Sequence, residues 1–189
     1  MSLVSNKNDA AKDRLIHYRT VAVPTVYSDG GFKNITGAVS EMQYRSMITQ
    51  SGARDVRDLQ VTMTATGEGS AKIKITITIK NNESRFYLGG ILTYINEIVS
   101  RWNDASGNPY HYATIDIPIK RPLVLFPKGE KTITYTWDGS VAGFSDISYD
   151  NVMVIACVCH WKPHKQIGYN DMEFTAFYVD QTAGTLVSS

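Results

Sequence analysis

Long apolar runs are missing from this 189-residue chain. No stretch approaches the roughly 18 to 20 consecutive apolar residues that a membrane-spanning helix needs. The start, Met1-Ser2-Leu3-Val4-Ser5-Asn6-Lys7-Asn8, lacks the charged-then-apolar build of a signal peptide. The chain by itself is therefore expected neither to span nor to insert. An excess of one charge is missing too: 19 Lys and Arg stand against 18 Asp and Glu, for a net charge of +1. Nucleic-acid binders carry a clear basic excess to neutralise phosphates, so nucleic acid is not an expected partner. Cysteine is scarce. Cys157 and Cys159 are the 2 present, too few for a disulfide framework and compatible with either redox compartment. There is no Cys-x-x-Cys, no internal repeat and no low-complexity tract.

What is there fits a folded globular chain, with 43% hydrophobic and 20% charged residues. The length suits one domain, or a domain with a fragment attached. Residues 1–52 and 53–189 read differently. In the first part, Asp9 is placed to cap an amphipathic helix reaching about Val21, with Ala11, Leu15, Tyr18 and Ala22 on one stripe. Val23 to Tyr27, then Ser28-Asp29-Gly30-Gly31, then Phe32 to Gly37 read as strand, tight turn, strand. Ser40 caps a second helix carrying Tyr44, Met47 and Ile48, which Gly52 ends. The short polar start, running at once into a helix pattern, reads as the cut edge of a longer protein.

From Ala53 onward helix signals vanish. Ile73, Ile75, Ile77 and Ile79 alternate with Lys72, Lys74, Thr76, Thr78 and Lys80, which demands a half-buried strand. Leu59, Val61, Met63 and Ala65 predict its hairpin partner across Gly67-Glu68-Gly69-Ser70. Further strands are expected at Phe86–Val99, Tyr110–Ile119, Lys131–Trp137, Val152–Trp161 and Met172–Val179. Pro118 and Pro122 confine their strand to an edge or a kink. The fold class is therefore mainly β: an immunoglobulin-like two-sheet sandwich behind a small α/β segment of order α-β-β-α. Free strand edges allow a homodimer by edge pairing.

Several residues are candidates for chemistry. Cys157 and Cys159 form a Cys-x-Cys on one face of the most apolar strand, where free cysteine acts as a small buried hydrophobe. Cys159, His160, Trp161 and His164, with His111 as a further ligand, suggest zinc, but successive strand residues point to opposite faces, so no metal site is expected. Glu97 could accept a hydrogen bond from His111, a buried pair that holds loops together rather than catalysing. Trp102, Tyr110, His111 and Tyr112 lie beside a Gly/Asn/Pro-rich loop that could present them as a binding face, against the alternative of edge-of-core aromatics. Sequons occur at Asn34 and Asn82.

The stretch from Ala22 to Ala38, with Val23-Pro24, the Asp29-Gly30-Gly31 turn and Gly37, resembles the second half of a thioredoxin fold. The motifs Ile95-Asn96-Glu97, Tyr110-His111-Tyr112, Thr132 to Trp137, Asn151 to Ala156 and Gln181-Thr182-Ala183 resemble, in order, the β-sandwich domain that follows a thioredoxin-like domain in extracytoplasmic and cell-surface proteins of bacteria and archaea. The resemblance implies a cis peptide at Pro24 and a location outside the cytoplasm. It also implies an accessory, non-catalytic interaction module without cofactor, whose protein or small-molecule partner the sequence leaves open. An independent aromatic-faced ligand-binding or adhesion module is the alternative, and a redox or metal enzyme using Cys157, Cys159 and His160 is a third reading.

Overall fold

The computed structural model describes all 189 residues. Two helices and two short strands come first: α1 (Asp9–His17), β1 (Thr25–Ser28), β2 (Lys33–Thr36) and α2 (Glu41–Gly52). Then follow β3 (Leu59–Gly67), β4 (Lys72–Asn81), β5 (Tyr87–Asn103), β6 (Pro109–Leu125), β7 (Glu130–Asp138), β8 (Val152–His160), β9 (His164–Ile167), β10 (Glu173–Ala176) and β11 (Val179–Leu186).

Strand β4 sets the architecture. Ile73, Ile75, Ile77 and Ile79 are wholly buried while Lys72, Lys74 and Lys80 are exposed, because alternate side chains leave a strand on opposite faces. It pairs antiparallel with β3 and β7, and on the outer face the Thr78 and Thr132 hydroxyls meet at 3.0 Å. The second sheet has the order β11-β8-β5-β6, also antiparallel. Val152, Val154, Ala156 and Val158 of β8 meet the isoleucines in one buried cluster. Trp137 of β7 reaches across the layers, its Nε1–H donating to Asp116 of β6 at 2.6 Å. The result is a mainly β, immunoglobulin-like sandwich of three strands on four. Pro118 and Pro122 sit in β6, the edge of the four-stranded sheet, where a missing N–H is tolerated.

The leading α-β-β-α segment docks on this body. Ser2 adds a parallel bridge to Ala113, its N–H donating to the Tyr112 carbonyl at 2.8 Å. Asn8 is the true N-cap of α1: its Oδ1 accepts from the Ala11 N–H at 2.9 Å while its Nδ2 donates to the Ile115 carbonyl. That second bond explains why the cap falls on Asn8 rather than on Asp9. The helix stops at His17, short of Val21, because Arg19 turns to a φ of 48°. Beyond it the Val23–Pro24 peptide is cis. Tyr18 and Tyr27 stack at 4.3 Å and meet the edge of Phe174 from β10, forming a second small core.

The stretch expected as one strand at Met172–Val179 is divided. Glu173–Ala176 forms a hairpin with β9 outside the sandwich, and the strand completing the four-stranded sheet is Val179–Leu186. No helix is long and apolar enough to cross a membrane.

Candidate functional site

The aromatic loop residues do not converge. Trp102 packs on the rim of the sandwich core, edge-on to Phe144 at 6.3 Å. Tyr110 is half-buried, His111 and Tyr112 are exposed, and the backbone carbonyls of the last two accept from Ser2. Glu97 is buried, but its partner is not His111. Its Oε1 accepts from Nε and Nη2 of Arg101 at 2.9 and 2.7 Å, and Oε2 accepts from the Arg101 N–H at 3.0 Å. Glu97 stands opposite Ala113 and His111 opposite Val99, so the two are diagonal rather than facing, and the ladder is irregular between Val99 and Asn103, where Arg101 meets the carboxylate.

Cys157 and Cys159 occupy the outer face of the four-stranded sheet, opposite the side of β8 that enters the core. Burial pushes their thiols up, to about 11 for Cys157 and about 12 for Cys159. His160 does not turn toward them. Its Nδ1 faces the Asp180 carboxylate at 3.2 Å, and its Nε2 faces the Nε2 of His164 at 2.9 Å. Asp180, itself buried, also accepts from the Tyr87 hydroxyl at 3.0 Å and faces Arg54 at 3.7 Å. Arg54 ties the leading segment in, with Nη1 donating to Asp29 at 3.1 Å and to the Val179 carbonyl at 2.8 Å. This buried network fixes the junction of α2, β8 and β11. No cluster of three His, Cys, Asp or Glu side chains is arranged to hold a metal.

Beside the cysteines the outer face is bare. Gly90 of β5 stands between Cys159 of β8 and Pro122 of β6, and Leu92 stands between Cys157 and Lys120. A Cβ on Gly89 would lie 2.3 Å from the Cys159 carbonyl oxygen, so close packing demands glycine there. A Cβ on Gly90 would come no nearer than 3.5 Å to the Arg121 carbonyl oxygen, so packing does not. Arg14 and His17, one helical turn apart on α1, and Phe177 border this floor, and together they line an open pocket of about 530 Å³. Its lining contains no Asp or Glu. Burial lowers the pKa of His17, and the positive charges of Arg14 and Lys120 lower it further. The pocket is therefore an apolar floor under a positive field.

Sequence reasoning missed this pocket, since Arg14, Gly90, Lys120 and Phe177 lie far apart in the chain. One signal was available: Gly89-Gly90 inside an apolar strand marks a close approach or an open surface.

No protein-family model matches the chain, and no curated protein matches its sequence. Among solved structures, HBP35 of Porphyromonas gingivalis superposes with a TM-score of 0.65 at 12% identity, covering 97% of this chain and 60% of that one. The chain thus spans 60% of the length of that structure. The CARDB domain of a Pyrococcus furiosus protein in complex with di-metal ions gives a TM-score of 0.35 at 15% identity, over 72% of this chain and 97% of that domain. A Bifidobacterium adolescentis GH3 beta-glucosidase gives 0.37 at 12% identity, over 69% of this chain and 17% of the enzyme. The first likeness shows a shared fold, and it embraces the docked leading segment as well as the sandwich.

Proposed function

We propose that this chain is a non-catalytic interaction module of a thioredoxin-like extracytoplasmic protein, and that it binds its partner in the pocket between α1 and the outer face of the four-stranded sheet. The observation that carries the reading is the pocket itself: a floor left bare at Gly90, which packing does not require to be glycine, bordered by Arg14 and His17. A non-catalytic role is supported by the thiols, whose burial keeps them protonated, and by the ring nitrogens of His160, which face Asp180 and His164 rather than a cysteine. A thioredoxin-like parent is supported by the motif resemblance. A location outside the cytoplasm rests on that resemblance too, and cell fractionation tests it.

Gly90→Leu tests the binding reading, because its Cβ would meet nothing closer than 3.5 Å and the rest of the side chain would occupy part of the pocket. A panel of small acids, amines, sugars and short peptides is screened by thermal shift against both forms. At least one class should stabilise the native chain and fail to stabilise Gly90→Leu. If every stabilising compound acts equally on both, the pocket is not the site. Reduction of a model disulfide at the background rate is expected, and turnover abolished by Cys157→Ser would overturn the non-catalytic part.

A further inference from the structure

We infer that the pocket takes a small organic anion, its carboxylate or phosphate head against Arg14 and its apolar body on the floor around Gly90, Leu92 and Pro122. The inference rests on the reading of this pocket as the binding site and adds the chemistry of what enters it.

Arg14 carries the argument. A guanidinium has five N–H donors and no way to shed its charge, so a half-buried one normally faces a carboxylate. Arg14 makes no ion pair. Its Nη2 donates to the Tyr18 hydroxyl at 2.5 Å and its charge lies 4.4 Å from the centre of the Tyr18 ring. Its Nε is buried and has no hydrogen-bond partner. A buried donor left unmade is costly, and native structures rarely keep one without a use.

The protein has no acid to offer it. None of the pocket's lining residues is acidic, and the buried acid of this junction, Asp180, is committed to Arg54, Tyr87 and His160. Lys120 adds a second unpaired cation on the same face, opposite Leu92. The Arg fork suits the two oxygens of a carboxylate or a phosphate, and a negative partner here would meet two cations in a partly desolvated site. The floor decides the rest. Leu92, Pro122 and Phe177 offer no hydrogen bonds, so an inorganic ion would leave them wet, whereas a ligand with an apolar body covers them.

The test titrates the full chain with octanoate, octyl phosphate, neutral octanamide and inorganic phosphate, following backbone amides by NMR and affinity by calorimetry. Octanoate, octyl phosphate or both should move the amides of Gly90 and Leu92 and bind at least about tenfold more tightly than octanamide, the weight of one charge-assisted hydrogen bond. Which headgroup binds better identifies the class. Arg14→Gln should erase the preference for acid over amide, and Arg14→Lys should restore part of it; both variants are checked for an unchanged amide spectrum away from the pocket. Equal binding of octanoate and octanamide, with both lost in Gly90→Leu, would overturn the anion and leave the pocket standing as the site. Inorganic phosphate binding as tightly as octyl phosphate would overturn the organic body. No amide shift with any of the four would overturn the inference, while the pocket reading would still be decided by the Gly90→Leu screen.

Discussion

Treatment of the native chain with an aromatic disulfide reagent should label Cys159 more slowly than Cys157, and both far more slowly than ordinary thiols. An ordinary cysteine with a pKa of 9.0 is about one-tenth thiolate near pH 8. With the thiol pushed up to about 12, Cys159 holds about one part in ten thousand as thiolate at that pH, and Cys157, at about 11, about one in a thousand. A more basic thiolate is a better nucleophile, with a Brønsted slope of about 0.4 to 0.5, which returns a factor of about 20 to Cys159 and about 8 to Cys157. The net slowing is then about 50-fold and about 10-fold, before any barrier to reagent entry beneath α1 is counted. The assay compares stopped-flow labelling of the native chain with labelling in denaturant, where both thiols become ordinary, and identifies each site with Cys157→Ser and Cys159→Ser. Native rates should climb about tenfold per pH unit to near pH 10 or above, since the thiolate share rises that way well below the pKa. Native rates equal to the denatured ones, or a plateau near pH 9, would refute the burial argument and reopen the thiols as reactive groups.

Two further outcomes are expected. Ile75→Ala should destabilise the chain by about 2 to 5 kcal/mol in urea unfolding, while Lys74→Ala changes it by less than about 0.5 kcal/mol, because Ile75 is wholly buried and Lys74 points outward. His17 and His164 both have folded-state pKa values lowered by burial from 6.5, so the unfolded chain takes up their protons first and stability falls as the pH drops through 6.5; the melting temperature should decline less between about pH 7 and 5 in a His17→Gln, His164→Gln double variant than in the native chain.

Legibility in the sequence tracked the sharpness of the boundary between core and water. In β4 one face is fully buried and the other wet, so the Ile/Lys/Thr alternation reads straight off the chain. In β11 that boundary is blurred: this edge strand of small and polar residues, interrupted by an irregularity at Asp180, alternates only between half-buried and exposed positions, its residue types do not follow that alternation, and the apolar segment before it takes its place in a sequence reading. Pairings across bulges fail for a different reason. Glu97 and His111 stand diagonally in the β5–β6 ladder, opposite Ala113 and Val99, and an irregularity between Val99 and Asn103, which no sequence pattern marks, lies where Arg101, four residues from Glu97, comes within reach of the carboxylate. Shifts of one or two residues are events that propensity does not register, yet a one-residue shift changes which face a side chain takes.

The pocket belongs to a further class, in which no segment carries the feature. Gly89 and Gly90 are adjacent and chemically identical, and the fold treats them differently: the first is held by the Cys159 carbonyl oxygen at 2.3 Å from where its Cβ would stand, the second by nothing nearer than 3.5 Å. A strand favours a β-branched or aromatic residue over glycine, at a difference on the order of 1 kcal/mol. Packing repays that loss at Gly89 and offers no repayment at Gly90. Arg14 presents the same imbalance from the other side of the pocket, as a half-buried cation whose Nε is left without a partner. Two local losses that face each other across one cavity, one of side-chain volume and one of counter-charge, are both recovered if a single ligand supplies an apolar body and a negative head, which is why the two residues have one explanation rather than two.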